Sequence, residues 1–134
     1  MAEFYQMAAQ GWPSNLFAWK ATIANGASVT EMIPVQGKAL VGVLMPASWT
    51  AAALGFKVSL NGSPRSADLV PVYTNNGTPM TTAALTAATF VPFPALDAFF
   101  GPFIQIASVT ANTTTGVAQG AERTLILLFR NYLD

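Results

Sequence analysis

Residues that form turns divide this chain into short segments with the character of β-strands. The Asn-Gly pair occurs three times, at 25–26, 61–62 and 76–77, and it predicts hairpins because both residues tolerate the positive φ that a type I′ turn needs. Strand character is clearest in residues 52–60, where apolar residues alternate with polar or small ones. The other predicted strands cover residues 16–24, 28–33, 39–45, 68–74, 88–93, 102–108 and 123–130. About eight short strands at near-regular spacing predict an all-β fold, an antiparallel β-sandwich.

The last predicted strand is apolar on both of its faces. Leu125, Leu127 and Phe129 point one way, and Ile126 and Leu128 point the other way. A strand with one face in water alternates apolar and polar residues, so the second face of this strand has to be covered. Three covers are open at this point: the N-terminal residues, a long connection, or a second copy of the chain.

The first fifteen residues have no strand pattern, yet they are rich in aromatic side chains. A free tail is usually polar, whereas this one carries Phe4, Tyr5 and Trp12. We therefore divide the chain into an N-terminal arm, residues 1–15, and a β-sandwich domain, residues 16–134. The arm either folds back on its own domain or docks on a neighbouring protein.

Residues 91–103 combine aromatic side chains with three prolines and a single charge. Phe93, Phe99, Phe100 and Phe103 are too many rings to bury easily in one connecting segment. Prolines stiffen such a segment, which lowers the entropy that is lost on docking. Although part of the segment must pack in the core, we expect these rings to contact another protein subunit.

Charged side chains are scarce for a chain of this size. They make up 9% of the 134 residues, with a net charge of zero, where typical soluble domains have about 25%. So little charge predicts that much of the surface meets other subunits or another protein. The six basic residues are scattered singly, which predicts that nucleic acid is not a partner.

The sequence predicts neither a secretory signal nor a membrane span. The first ten residues contain Glu3 and no basic residue, unlike a secretory signal. The longest apolar run, residues 39–56, is interrupted in its middle by Pro46, Ser48 and Thr50, where a spanning helix is most apolar. We expect two strands joined by a turn there, and no membrane partner.

Few residues are suited to catalysis. The chain contains no Cys and no His, which removes thiolate nucleophiles, imidazole bases and the metal sites built from them. The six acidic residues do not cluster in the sequence, whereas carboxylate catalysis needs two acids in one pocket. Ser63, Arg65 and Asp68 follow a hairpin signal and are interpreted as a solvated turn. We predict no enzyme activity, no catalytic residue, no cofactor and no metal.

Glu122 and Arg123 stand together at the start of the last predicted strand. One interpretation is an ordinary polar strand start. The other is a charged clamp that orders the preceding loop or reaches a partner, for which the arginine fork is well suited.

Three tryptophans, Trp12, Trp19 and Trp49, are candidates for an aromatic platform that binds a sugar. Trp19 falls within an apolar strand, so core packing is favoured for it. Trp12 and Trp49 lie at predicted turns, and for them both interpretations stay open.

Several short motifs follow one another in a fixed order: Pro46 and Trp49, Ser59-Leu60-Asn61-Gly62, Ser108-Val109-Thr110, Gln119-Gly120-Ala121-Glu122-Arg123, and Arg130. This order resembles that of a family of small tailed-bacteriophage virion proteins. In that family a Pro-then-Trp segment precedes an alternating strand that ends in a Ser-x-[Asp/Asn]-Gly turn. A late strand is followed by a Ser-Gly-Thr-like turn, and the chain closes with Gln-Ala-x-[Asp/Glu]-Arg and a hydrophobic strand ending in Arg. Here Val109 replaces the usual Gly and Gly120 an Ala, both at predicted turns.

The resemblance covers about two thirds of the chain and implies a jelly-roll β-sandwich that decorates, or cements, a phage capsid. It implies a place on the outer capsid surface of the virion, with the major capsid protein as partner. A homodimer is the expected self-association, because closed dimers are the commonest symmetric assembly, and a trimer is the alternative. The predicted interface residues are Phe4, Tyr5, Trp12, Phe93, Phe99, Phe100, Phe103, Glu122 and Arg123.

Two other functions stay open from the sequence. One is a glycan-binding β-sandwich module, which needs exposed Trp or Tyr beside Asn, Asp or Arg in a groove. The other is a head or tail accessory protein of a virion, which differs from a cement protein only in its location.

Overall fold

A computed structural model of the chain describes residues 4–6, 16–62, 65, 68–93 and 102–131. These residues form nine β-strands and no α-helix. The strands are β1 (Tyr5–Gln6), β2 (Leu16–Ile23), β3 (Ile33–Pro34), β4 (Lys38–Leu44), β5 (Ala53–Ser59), β6 (Val70–Pro71), β7 (Phe90–Pro92), β8 (Phe103–Val109) and β9 (Arg123–Asn131). The predicted all-β fold is confirmed.

The strands form two antiparallel sheets that pack face to face. The five-stranded sheet has the order β1-β2-β9-β4-β7, and the four-stranded sheet has the order β3-β8-β5-β6. Buried side chains from both sheets form one core, which includes Trp19, Ile23, Leu40, Val43, Leu125, Leu127 and Phe129 from the first sheet and Ile33, Leu54, Phe56, Ile104 and Ile106 from the second. The predicted antiparallel β-sandwich is therefore confirmed.

Strand β5 shows how the alternation in the sequence sets the two faces of a sheet. Leu54 and Phe56 are buried in the core, and Val58 packs against it. The residues that alternate with them, such as Ala53 and Gly55, lie on the outer face because successive side chains of a strand point to opposite sides. The predicted strand 52–60 thus corresponds closely to the observed strand.

The predicted strand over residues 28–33 is largely replaced by an irregular edge. Only Ile33 belongs to a strand, β3, and Val29 makes an isolated bridge to Ala107. Between them, Thr30 N–H donates to Ile106 O (2.9 Å), and Ile106 N–H donates to Thr30 Oγ1 (3.1 Å). The threonine hydroxyl takes the place of a backbone carbonyl in the ladder, so the regular pairing is interrupted there.

The Asn-Gly pairs form turns, but their geometry differs from the prediction. Gly26, Gly62 and Gly77 have φ values of 81°, 76° and 84°, whereas the asparagines before them do not have positive φ, so none is a type I′ turn. The first pair does not close a hairpin, because after β2 the chain crosses to the other sheet. The third pair does: Thr74 N–H donates to Thr78 O (2.8 Å), and Gly77 N–H donates to Thr74 O (3.0 Å).

Candidate interaction surfaces

The outer face of the four-stranded sheet is covered by segments of the same chain. Ala53, Ala107 and Val109 form a buried cluster on this face and are at most 3% exposed. The turn after β8 and the segment after the third Asn-Gly pair meet beside the cluster, where Asn112 N–H donates to Thr81 Oγ1 (2.9 Å). A cavity of only about 20 Å³ remains among them. The middle of this face is therefore covered, whereas the β6 edge of the sheet leaves Val70 54% and Tyr73 49% exposed.

The outer face of the five-stranded sheet carries an uncovered row of side chains. Lys20, Ile126, Leu44 and Phe90 are neighbours in the strand register, on β2, β9, β4 and β7. Leu44 is 43% exposed and Phe90 is 50% exposed, while Ile126 is half-buried and Lys20 is exposed. We call these four residues the open row. Two exposed apolar side chains beside a half-buried third one form a candidate contact surface.

Leu128 lies next to the open row on the same face, and it is buried. Its neighbours in the register are Ala18 and Gly42, and the Phe90 ring lies over Gly42, with its Cζ atom 2.7 Å from where a Cβ would stand. Leu128 itself is 4% exposed. The second apolar face of the last strand is thus covered within one chain at Leu128 and partly open at Ile126.

The described part of the N-terminal arm is folded back on its own domain. Tyr5 pairs with Ala18 as part of β1, and the Phe4 ring packs edge-on against Trp19 and Phe129, with centroids 4.9 and 5.0 Å apart. Lys38 Nζ lies 4.6 Å from the centroid of the Phe4 ring, a cation–π distance. Phe4 therefore closes one end of the core instead of standing free.

Two of the other predicted aromatic contacts also pack on their own chain. Phe93 is 5% exposed and meets Phe56 edge-on, with ring centroids 5.9 Å apart, so it has almost no surface to offer a partner. Phe103 is half-buried, and its ring lies about 3.0 Å from where a Cβ of Gly62 would stand. Trp12, Phe99 and Phe100 lie outside the described residues.

Arg123 acts on the loop that precedes it. Its Nε donates to Gln119 Oε1 (3.2 Å) and its guanidinium also donates to Thr50 Oγ1 (3.2 Å). Gln119 is 1% exposed, and its Nε2 donates to Thr50 O (3.1 Å) and to Ser108 Oγ (2.8 Å). Of the two interpretations, this arrangement is the clamp that orders a loop, whereas Glu122 is exposed. Sequence reasoning missed Gln119 as the centre of the clamp, although its position four residues before Arg123 was visible.

The two described tryptophans use their indole N–H groups within the chain. Trp19 is 4% exposed, as the core prediction required, and donates to Glu31 Oε2 (2.9 Å). Glu31 Oε1 accepts a second bond from Thr22 N–H (3.0 Å), so this carboxylate ties β2 to the irregular edge of the other sheet. Trp49 is half-buried and donates to Ala52 O (3.2 Å). Neither indole N–H points to a sugar site.

An open cleft of about 500 Å³ lies between the edges of the two sheets, beside β7. Its apolar lining includes Phe56, Met80 and Phe93, and threonine hydroxyls stand along it. No described residue that lines it is charged, and none is Trp or Tyr. The cleft therefore lacks the Trp or Tyr, and the charged residues, that a sugar site of the expected kind requires.

Within the described ranges, no group of three or more His, Cys, Asp or Glu residues is placed to hold a metal ion. The same part of the chain has no helix that is long and apolar enough to cross a membrane. Comparisons with protein-family models, with curated proteins and with solved structures find no match to this chain.

Proposed function

We propose that this protein is a capsid cement, or decoration, protein of a tailed bacteriophage. It binds the outer capsid surface, with the major capsid protein as its partner, and it associates with itself. The observation that carries the proposal is the contrast between the two outer faces: the chain buries Ala53, Ala107 and Val109 on one, where exposure is confined to the β6 edge, and leaves Leu44 and Phe90 exposed on the other. The motif resemblance supplies the virion setting.

The proposed mechanism is contact between preorganised surfaces. A protein that binds the assembled shell, and not its separated subunits, stabilises the assembled state by mass action. A rigid binder is suited to this role because little conformational entropy is lost when it docks. The clamp of Gln119 and Arg123, and the arm residue Phe4 packed on the core, support this rigidity.

The jelly-roll part of the proposal is supported by the strand order. Without β1, the two sheets read β2-β9-β4-β7 and β3-β8-β5-β6. The chain passes repeatedly from one sheet to the other, and the first long strand pairs with the last strand. Two Greek keys wound together, which define a jelly roll, give such an order.

The glycan-binding alternative has less support. The cleft beside β7 has no Trp or Tyr among the described residues that line it, and the indole N–H of Trp49 bonds to Ala52 O. A head or tail accessory protein uses the same kind of contacts as a cement protein, so it is separated only by where the chain sits on the particle.

The test is a comparison of virions with and without this chain. Depleted particles should assemble but release their genome at a lower temperature or under milder osmotic shock, and adding back the purified chain should restore the difference. A density map of the complete virion should place the chain on the capsid surface. Equal heat resistance of the two particles would overturn the cement function, and saturable binding on a glycan array would favour the alternative.

A further inference from the structure

We infer that the open row is the contact between two copies of this chain, packed face to face about a twofold axis that runs along the strands. The inference rests on the proposed function for self-association and goes further by naming the surface and its register. In this dimer Lys20 lies over Phe90 of the second copy, and Ile126 packs against Leu44 of the second copy.

The order of the row makes it complementary to itself. Across the sheet the row reads Lys20, Ile126, Leu44, Phe90. A twofold axis parallel to the strands, between Ile126 and Leu44, reverses this order in the second copy. Each apolar side chain then meets an apolar one, and each Lys20 meets an aromatic ring.

The charge of Lys20 favours this axis over the alternative one. A twofold axis across the strands would place Lys20 against Lys20 and bury two like charges without a partner, which is costly. The described strand residues on this face include no acidic residue to compensate them. A lysine over an aromatic ring is favourable. Lys20 Nζ already lies 5.8 Å from the Tyr5 ring centroid of its own chain, a longer distance than the 4.6 and 4.8 Å from Lys38 Nζ to the Phe4 and Phe17 centroids, and Phe90 of the second copy offers Lys20 a further ring.

The area of the face fits a weak but specific dimer. The four strands contain 8, 9, 7 and 3 residues; at roughly 3.3 Å per residue and about 4.8 Å between strands they give a footprint of roughly 430 Å². Protruding side chains bury more area than the flat footprint does. With this extra area, two such footprints lie near the lower limit of about 1,000 Å² for biological interfaces. We therefore expect a dissociation constant in the micromolar range and dissociation on dilution.

Light scattering with matched variants tests the surface. The parent chain should have twice the monomer mass of 14.1 kDa at about 100 µM and dissociate near 1 µM. Leu44→Lys should raise the dissociation constant at least about thirty-fold, because it buries a charge against Ile126 of the second copy, one strand away from the Lys20 of that copy. Leu60→Lys is the matched control, since Leu60 is 83% exposed and lies outside this face, and it should dimerise like the parent.

Thiol cross-linking tests the axis, because the chain has no cysteine of its own. Lys20→Cys mixed with Phe90→Cys should cross-link through a short bifunctional reagent, since facing sheets are about 10 Å apart. Lys20→Cys alone should not, because its two copies are offset by about three strand spacings, roughly 14 Å. Links within Lys20→Cys alone would overturn the proposed register.

Other results would overturn the surface itself. A parent chain that is monomeric at about 100 µM, or a Leu44→Lys variant that dimerises as the control does, contradicts the inference. Circular dichroism shows whether each variant is folded, and Phe90→Ser replaces Leu44→Lys if that variant is not. These measurements use no capsid, so their failure is separate from a failure of the virion comparison.

Discussion

The two sheets of this sandwich are alike on the inside and different on the outside. The outer face of the four-stranded sheet is built from small side chains, among them Ala53, Gly55 and Ala107, and all three are buried. The outer face of the five-stranded sheet carries larger side chains, and Leu44 and Phe90 remain in water. Small residues let the backbone of a covering segment come close, so they indicate a cover made by the same chain.

The difference extends to hydrogen bonding. A covering segment brings polar backbone groups onto a sheet, and these groups need partners when they are buried. On the four-stranded sheet such partners exist, as where Thr81 Oγ1 accepts from Asn112 N–H. Segments of the same chain can supply these hydrogen-bond partners from nearby residues. Large exposed apolar side chains, in contrast, need only a complementary apolar surface. The comparison supports the proposal that one outer face serves folding and the other serves association.

The largest effect should come from placing the same charge on the two faces. Ala107→Asp buries an unpaired carboxylate where the parent residue is 3% exposed, and we expect the free energy of unfolding to fall by about 3–4 kcal/mol. Leu44→Asp, at a position that is 43% exposed, should change it by less than about 1 kcal/mol in dilute solution. Urea denaturation below micromolar concentration measures both. Equal losses would mean that the two faces are equally buried in solution.

A smaller effect should follow from releasing the loop that helps to cover the four-stranded sheet. Gln119→Ala removes the buried amide that bonds to Thr50, Ser108 and Arg123, and it leaves their polar groups without that partner. We expect a loss of about 2–3 kcal/mol in the free energy of unfolding. Glu122→Ala, at an exposed neighbouring position, is the control and should stay within about 0.5 kcal/mol. A Gln119→Ala protein as stable as the control would show that the clamp does not stabilise the fold.

Much of the fold could be predicted because long strands carry their own pattern. The predicted segments 52–60 and 123–130 correspond to Ala53–Ser59 and Arg123–Asn131, since alternation and a dense apolar run are local properties. The break in the predicted strand 28–33 was not predictable in this way. It depends on the Thr30 hydroxyl, which bonds to a residue 76 positions away in the sequence.

The candidate surface was only partly visible in the sequence. Ile126 was singled out because the last strand is apolar on both faces, but its neighbours come from three other strands, and only strand order and register bring them together. For Phe93 the sequence lacked a different kind of information, namely the side to which the ring points. A proline-rich aromatic segment indicates contacts but not their direction, and the Phe93 ring turned out to face Phe56 in the core.

The smallest effect should come from adding one methyl group to each outer face, by a Gly→Ala substitution. At Gly55 the new Cβ would stand 3.1 Å from Val109 Cγ2, and Val109 is 3% exposed and has little room to move. Overpacking of this kind costs about 1–3 kcal/mol, and the lower entropy of the unfolded chain returns up to about 1 kcal/mol, so Gly55→Ala should lose about 1 kcal/mol in the free energy of unfolding.

At Gly42 the new Cβ would stand 2.7 Å from Phe90 Cζ, a closer contact than at Gly55. Phe90 is 50% exposed, so its ring can swing into water, whereas Val91 O, a backbone atom 3.2 Å from the new Cβ, has to shift slightly. The entropic gain offsets part of these costs, so Gly42→Ala should lose less than about 0.5 kcal/mol. The displaced ring no longer lies in place for Lys20 of a second copy, so this variant should dimerise several-fold more weakly. Thermal unfolding and light scattering on both variants separate the two effects. If the closer contact also gave the larger loss of stability, Phe90 would be held as firmly as Val109, and the open row would be part of a packed surface within one chain.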